Sequence, residues 1–531
     1  MANWNVVYSH LIASTLKENF ANGGVDPEYV YAQKIAQWLG EDSVAVSDLE
    51  RNEKEVLIGF VDRPEMNIYL SKLGKNQFGV CCAGNKILVA GHCVAAVVMA
   101  CNHLLEQDPG TIIDGYEYRE TCSQWITDIP AYPGLYLGMT DCCSDNVEFV
   151  YESDLQTYDT YLQNLTEKGY IKAFENDICD NRFARFVKDG TFLSASYSPS
   201  EKLVRLISGS LAKNKFFDSF GSFFATEKIA QVNMTQMMLD YDGGSFGMCY
   251  IITLEDGSYV IFDGGHVRVI NGYPKTLDYV RLYKLLEEMN TRPDGKIVIS
   301  AWYMTHEHSD HFNVFYWFCK EYGDKVDIRA YGACNCSRTV AFNAKNPEFH
   351  STNGRLDQAR EWAGGFDLVT LQTGDKFTLG GVEFEILYTV DDLFPNRLHY
   401  FNDSSFVCKM TYGGQSTMWL GDICAAPSEL LTKRYTKDYL KCDFVNMAHH
   451  GLNGAHWDLY EAIDAKVLLW SLWQKLAIKQ IEDDADLSVE HIQVAQRLLL
   501  RENPPECYYH KRPNYTFILP YHGEESQRID R

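Results

Sequence analysis

Basic residues are scarce for a chain of this length: 48 Lys and Arg stand against 72 Asp and Glu in 531 residues, a formal net charge of −24. That shortage argues against a surface built to neutralise phosphate backbones, because non-specific nucleic-acid binding needs a basic stripe. The 16 cysteines include no C-x-x-C pair, so no zinc ribbon is indicated. Their scatter through apolar runs fits buried thiols in a reducing compartment. Met1-Ala2-Asn3-Trp4-Asn5 carries no basic stretch leading into an apolar one, so no secretory signal is expected. No apolar run reaches the length of a membrane span; the stretch from Ile87 to Ala100 is broken by Gly91 and His92. Neither a Walker loop nor a G-x-G-x-x-G turn lies between a strand and a helix, so a nucleotide-phosphate cradle is not expected either. These absences lead to the expectation of a soluble cytoplasmic protein with no membrane or nucleic-acid partner.

What is present is ordinary globular composition, 46% hydrophobic and 23% charged, at a length that predicts roughly two to four domains. Residues 1–125 alternate strands and helices. Asn5 to Tyr8, Glu55 to Phe60, Phe78 to Ala83 and Lys86 to Ala90 read as strands, the last two joined by a Gly84-Asn85 turn. Tyr29 to Leu39 and Cys93 to Leu105 read as helices, which predicts a small α/β domain. Residues 126–230 read as a linker, rich in Pro and Gly from Thr127 to Asp145, followed by a small α+β domain. Residues 231–531 hold many strands and a few helices, the pattern of two packed sheets flanked by helices. The expected fold class is therefore α/β and α+β, multidomain.

The run EVLIGFVDRPE at 55–65 and FGVCCAGNKILVAGH at 78–92, followed by an apolar helix, resemble the small accessory domain that precedes the catalytic barrels of β-hexosaminidases and α-glucuronidases. No glycosidase barrel follows here, so the resemblance implies a packing or assembly module rather than a sugar-binding one. His92 and His103 flank the apolar helix and read as structural histidines, and His456 reads as a surface histidine.

The chemistry-bearing segment is Thr305-His306-Glu307-His308-Ser309-Asp310-His311. Three of the 15 histidines and an aspartate fall in six positions directly after the apolar strand KIVISAWYM. A strand end fixes the direction of entry, and the loop can turn all four side chains into one cavity. Imidazole and carboxylate suit a borderline-soft cation at metal–ligand distances of about 2.0–2.2 Å.

H-x-H-x-D-H after a strand resembles the signature of the metallo-β-lactamase fold, an αββα sandwich, and three further segments agree. Tyr259 to Gly265 (YVIFDGG) is similar to the first motif, whose aspartate, here Asp263, supports the metal loop. Met418 to Asp422 (MWLGD) is similar to the motif whose aspartate bridges two metals, and Phe444 to Gly451 (FVNMAHHG) to the last one. Carried over residue by residue, the resemblance implies that His306 and His308 bind one metal and Asp310 and His311 a second. Asp422 would bridge them, and one of the pair His449-His450 would complete the second site, His450 by its place in the His-Gly of the motif. His449 would meet an anionic group of the substrate or protonate the leaving group, and Asp310 would orient the attacking water or take its proton. The third histidine that many relatives give the first metal is absent. The string Asn402-Asp403-Ser404-Ser405 resembles the competence-protein subgroup instead, with Asp403 as the candidate ligand and His399 second. Zinc is the expected metal, and an oxygen-rich first site would suit manganese.

Two cations roughly 3.5–4 Å apart would turn a bridging water into hydroxide near neutral pH, and no nucleophilic serine or cysteine is then needed. The expected activity is metal-dependent hydrolysis of a phosphoester or phosphodiester in a small-molecule substrate. Hydrolysis of a lactone, thioester or β-lactam is the alternative within the same class. A non-catalytic binding protein with a structural metal centre is the alternative outside it. Oligomeric state leaves no trace in the sequence.

Overall fold

Strands that are apolar along their whole length dominate the second half of the chain. Cys249–Thr253, Tyr259–Asp263 and Ile297–Tyr303 are buried at every position, as strands covered on both faces must be. The structure, a computed structural model, describes residues 4–9, 27–59, 61–74, 77–91, 94–121, 129–217, 227–336, 353–396, 398–479, 482, 486, 488–510 and 514–530. His92 lies outside them. His103 is described, its Nε2 hydrogen-bonded to the Tyr116 hydroxyl at 2.9 Å and its ring stacked on Tyr118.

Two sheets face each other here. The first runs in the order Asp367–Thr370, Ala330–Ala333, Ile297–Tyr303, Tyr259–Asp263, Cys249–Thr253, Asn233–Gln236, Tyr515–Ile518, Arg528–Asp530, with Val326–Ile328 also paired to Ile297–Tyr303. The second runs Lys376–Leu379, Val382–Tyr388, Val407–Tyr412, Gln415–Trp419, Phe444–Asn446, Val467–Trp473, Glu506–His510. Alternation along the strands divides the core into three layers. Tyr250, Phe262, Tyr303, Phe384, Trp419 and Leu469 fill the space between the sheets. Cys249, Ile251, Ile261 and Ile299 point outward beneath helices Asp278–Met289 and Ser309–Tyr322. Met418, Leu468 and Trp470 do the same beneath helices Ala425–Arg434, Trp457–Ile463 and Glu490–Leu499. This is the αββα sandwich.

Two further sheets precede it. One is mixed, in the order Val44–Ser47, Asn5–Tyr8, Glu55–Ile58, Lys86–Gly91, Gln77–Ala83, Glu117–Thr121, with helices Pro27–Leu39 and Val94–Glu106 packed on it. The other is antiparallel, in the order Leu135–Cys142, Asn146–Glu152, Leu203–Ser210, Thr191–Ser198, Asn181–Lys188, Ile171–Ile178. Its first strand lies inside the stretch expected to be linker. The Pro130, Pro133 and Gly134 that suggested a linker fall just ahead of it, and an edge strand tolerates such neighbours. One apolar cluster runs through both sheets, from Val6, Ile35 and Leu104 to Tyr158, Phe186 and Val204. No helix among the described residues is long and apolar enough to cross a membrane.

Candidate metal centre

The centre forms where strands of both sandwich sheets end. Strand Tyr259–Asp263 delivers Asp263, fully buried and in the left-handed region at φ 55°. Its Oδ1 accepts from the Thr305 backbone N–H at 2.8 Å and its Oδ2 from the Thr305 hydroxyl at 2.9 Å. The same Oδ2 lies 2.9 Å from His311 Nδ1. A carboxylate at that distance keeps the imidazole proton on Nδ1 and leaves Nε2 as the ligand atom, the usual support for a metal-binding histidine. Strand Ile297–Tyr303 runs into the Thr305–His308 loop, and helix Ser309–Tyr322 starts at once with His308 as its N-cap. Gly247 is needed beside this turn, because a Cβ there would lie 1.8 Å from the Asp310 carbonyl oxygen.

Strand Gln415–Trp419 leads to Asp422, and strand Phe444–Asn446 leads to His449 and His450, which hold left-handed conformations at φ 50° and 59°. Such strain in non-glycine residues persists only where the surroundings hold it. Here the His449 N–H donates to the Gly421 carbonyl at 3.1 Å, the Asp422 N–H to Ser405 Oγ at 3.0 Å, and the Phe406 N–H to the Thr305 carbonyl at 3.0 Å. At Gly451 a Cβ would meet Trp470 Nε1 at 2.0 Å, so only glycine lets the turn close over that indole.

These loops bring two groups of donors together. Asp310, His311, Asp422 and His450 form one, and His306, His308 and Asp422 the other. Asp422 belongs to both. Its Oδ2 lies 3.2 Å from His311 Nε2, 3.4 Å from His450 Nε2 and 3.9 Å from His306 Nε2. His450 Nε2 is 3.1 Å from Asp310 Oδ2. Burial disfavours charge on His311, yet Asp422, Asp263 and Asp310 outweigh it and hold the ring well above the ordinary imidazole value. The same balance of burial against Asp422 and Asp310 lifts His450 to about 9. His306 goes the other way, held well down by burial and by neighbouring His311 and His308. Burial alone lifts Glu307 to about 8, so it sits neutral among them.

The donor set fits a divalent cation. Among the described residues, Asp422 Oδ1 is buried without a hydrogen-bond partner and His311 Nε2 makes no well-aligned hydrogen bond, although Asp422 Oδ2 lies 3.2 Å from it; such atoms are costly unless something binds them. Negative charge concentrated against buried imidazoles is the field that a cation would neutralise.

The remaining expected residues lie elsewhere. Asp403 is outside both groups; it is buried, and its Oδ1 accepts from the Cys424 N–H at 2.7 Å, which braces the loop carrying Asp422. Burial raises it to about 7, with that N–H pulling the other way. His399 is exposed, packs edge-on to Tyr400 and is also outside both groups. His449 lines a cavity of about 600 Å³ whose floor carries His308, Asp310 and Asp422. His456, read as a surface residue, lines that cavity too. Of the loops flanking the site, residues 337–352 and most of 480–487 lie outside the described residues.

Sequence reasoning passed over Ser471, whose Oγ lies 3.3 Å from His450 Nδ1. Its signal was a lone hydroxyl inside the apolar strand Val467–Trp473. It also passed over Gly243-Gly244-Ser245-Phe246-Gly247, which fits G-x-S-x-G. Ser245 is buried and its hydroxyl donates to the His266 carbonyl at 2.5 Å, so it is a loop tie rather than a nucleophile.

No family model matches the chain, and no curated protein matches it. Among solved structures it is similar to the metallo-beta-lactamase fold protein YhfI from Bacillus subtilis. That match has 10% identity, 54% of this chain, 100% of that one and TM-score 0.30. It is also similar to CmlA, a diiron beta-hydroxylase from Streptomyces venezuelae, at 14% identity over 56% of this chain and 55% of that one, TM-score 0.28. A third is Zn(2+)-bound PqqB from Methylobacterium extorquens, at 9% identity over 40% and 71%, TM-score 0.26.

Proposed function

We infer that the chain is a metal-dependent hydrolase whose centre holds two divalent ions, with zinc the first expectation and manganese the alternative. The observation that carries this is Asp422, the one carboxylate common to two adjoining donor groups. His306 and His308 would hold one ion with it; Asp310, His311 and His450 would hold the other. Bound there, the ions supply Lewis acidity and a nucleophile drawn from water near neutral pH.

The chain's own residues do the rest. Asp263 keeps the His311 proton on Nδ1, and Ser471 anchors the far side of His450. Asp310, held well below the usual carboxylate range against burial by His311 and His450, is ionised and offers an acceptor that would orient the attacking water. The ring of Phe401 lines the same cavity, its centroid 5.1 Å from that of His308.

A phosphoester or phosphodiester is the first substrate class, on the resemblance of the Asn402–Ser405 loop. One observation favours a second reading, hydrolysis of a lactone or thioester: the described residues lining the cavity include no Lys or Arg to meet a substrate phosphate. The N-terminal modules share one apolar cluster, which supports a packing role for the first of them.

Elemental analysis tests the centre. The intact protein is expected to retain two ions per chain, His308→Ala one, and Asp422→Ala neither. Undiminished stoichiometry in both variants overturns the assignment. Bis(p-nitrophenyl) phosphate assayed beside a neutral lactone separates the two substrate classes.

A further inference from the structure

The cavity lined by His308, Asp310 and Asp422 is lined also by two imidazoles, His449 and His491, that are both hydrogen-bonded to one residue, Asn453. His449 Nδ1 lies 3.0 Å from the Asn453 backbone carbonyl, and His491 Nδ1 lies 2.6 Å from Asn453 Oδ1. A carbonyl oxygen only accepts, so each ring carries its proton on Nδ1. In a neutral imidazole that leaves Nε2 as an acceptor. Neither Nε2 has a hydrogen-bond partner among the described residues, and both rings line the cavity. Burial, and behind it the proximity of His449, lowers the His491 pKa below the ordinary value, which keeps that ring neutral. His456 and Glu490 line the same cavity, with His456 Nε2 and Glu490 Oε1 paired at 3.4 Å.

We propose that His491, held by Asn453, forms a hydrogen-bond-accepting subsite that selects substrates by a hydroxyl- or amino-bearing group. A ring whose free nitrogen is an acceptor neither binds an anionic group nor protonates a leaving group; it takes hydrogen bonds from donors such as the vicinal hydroxyls of a polyol. His491 is thus a specificity-determining residue contributed by helix Glu490–Leu499, some forty positions beyond the last metal motif. The inference rests on the hydrolase reading of the same cavity.

Three measurements on the metal-loaded full chain test it. Long-range 15N–1H correlation spectra of the histidines should show an Nδ1–H tautomer for His491; a protonated Nε2 on that ring overturns the subsite. Steady-state kinetics should then be compared for methyl p-nitrophenyl phosphate and its glyceryl counterpart. His491→Phe should raise KM about tenfold for the glyceryl probe alone, the scale of one lost hydrogen bond, with kcat unchanged. His491→Gln, which keeps an acceptor, should retain most of the preference. An equal loss on both probes, or no loss on either, overturns the proposal. If the wild-type protein turns over neither probe, the phosphodiester reading falls separately. Calorimetric binding of the same two probes then decides the subsite: tighter glyceryl binding that His491→Phe removes upholds it, and equal or absent binding refutes it.

Discussion

At the scale of single residues, the centre depends on groups that never touch an ion. Asp263 is the clearest case, since one carboxylate accepts from the Thr305 backbone, the Thr305 hydroxyl and His311 Nδ1. It sets both the path of the ligand loop and the tautomer of one ligand. Asp263→Asn preserves the shape, but its amide nitrogen offers a proton where His311 needs an acceptor. Metal affinity should fall by about ten- to a hundredfold, the usual cost of losing such support, while thermal stability of the metal-free protein changes little. Competition with a chromophoric chelator reads the first quantity and thermal unfolding the second. An affinity that is unchanged would mean that His311 is oriented by packing alone. Asp403 lies outside both donor groups, buried and bonded to the Cys424 N–H, which ties it to the loop carrying Asp422.

At the scale of elements, short local strings were readable and distant pairings were not. Four of the donors sit within the six positions from His306 to His311, and the others lie in compact strings that each end a strand, so sequence order alone brought them forward. His491 had no such string: it reaches the cavity only because helix Glu490–Leu499 packs over the second sheet. Strand Leu135–Cys142 was hidden by prolines and glycines beside it, and helix Asp278–Met289 by an apolar stripe among many charges. In the first module, Glu55 opens strand Glu55–Ile58, is 1% exposed and accepts from Arg63 Nη2 at 3.0 Å and Lys86 Nζ at 2.6 Å. Burial opposes the charge, but these two cations prevail and lower its carboxyl from 4.5 to about 2. The folded state therefore binds this proton less readily than the unfolded state. The contribution, on the order of 3 kcal/mol, is fully present above pH 4.5 and is lost as pH falls towards 2. Thermal melts from pH 6 to 2 should show a steeper decline for the wild type than for Glu55→Gln; parallel curves would remove the ion pair from the account.

At the scale of the molecule, the antiparallel sheet is clamped to the sandwich by buried charge as well as by apolar contact. Arg185 pairs with Asp375 and donates to Gln372 Oε1 at 3.1 Å, while Arg205 donates to the Asp392 carbonyl at 2.6 Å. From the sandwich side, Arg434 donates to Glu201 Oε2 at 2.6 Å and lies 2.8 Å from Asp392 Oδ1. All three arginines are under a tenth exposed. Three of the 48 Lys and Arg thus lie inside this seam, matched there by the buried carboxylates Asp375, Glu148 and Asp392. Burying such pairs gains little over a well-packed apolar seam, but removing one partner leaves carboxylates buried and unpaired. Arg434→Ala leaves Glu201 with Arg205 alone, 3.4 Å away, and the Asp392 carboxylate with only the neutral donors Thr373 and Thr389, and should cost up to about 3–5 kcal/mol in urea unfolding. The double variant Arg434→Met with Glu201→Gln, which removes charge from both sides, should recover a large part of that loss. Metal stoichiometry at the distant centre should stay at the wild-type value in every folded variant. If Arg434→Ala unfolds with wild-type stability, the seam is solvated and the antiparallel sheet is free to move against the sandwich; if it unfolds early in a separate first transition, the seam is what couples the two.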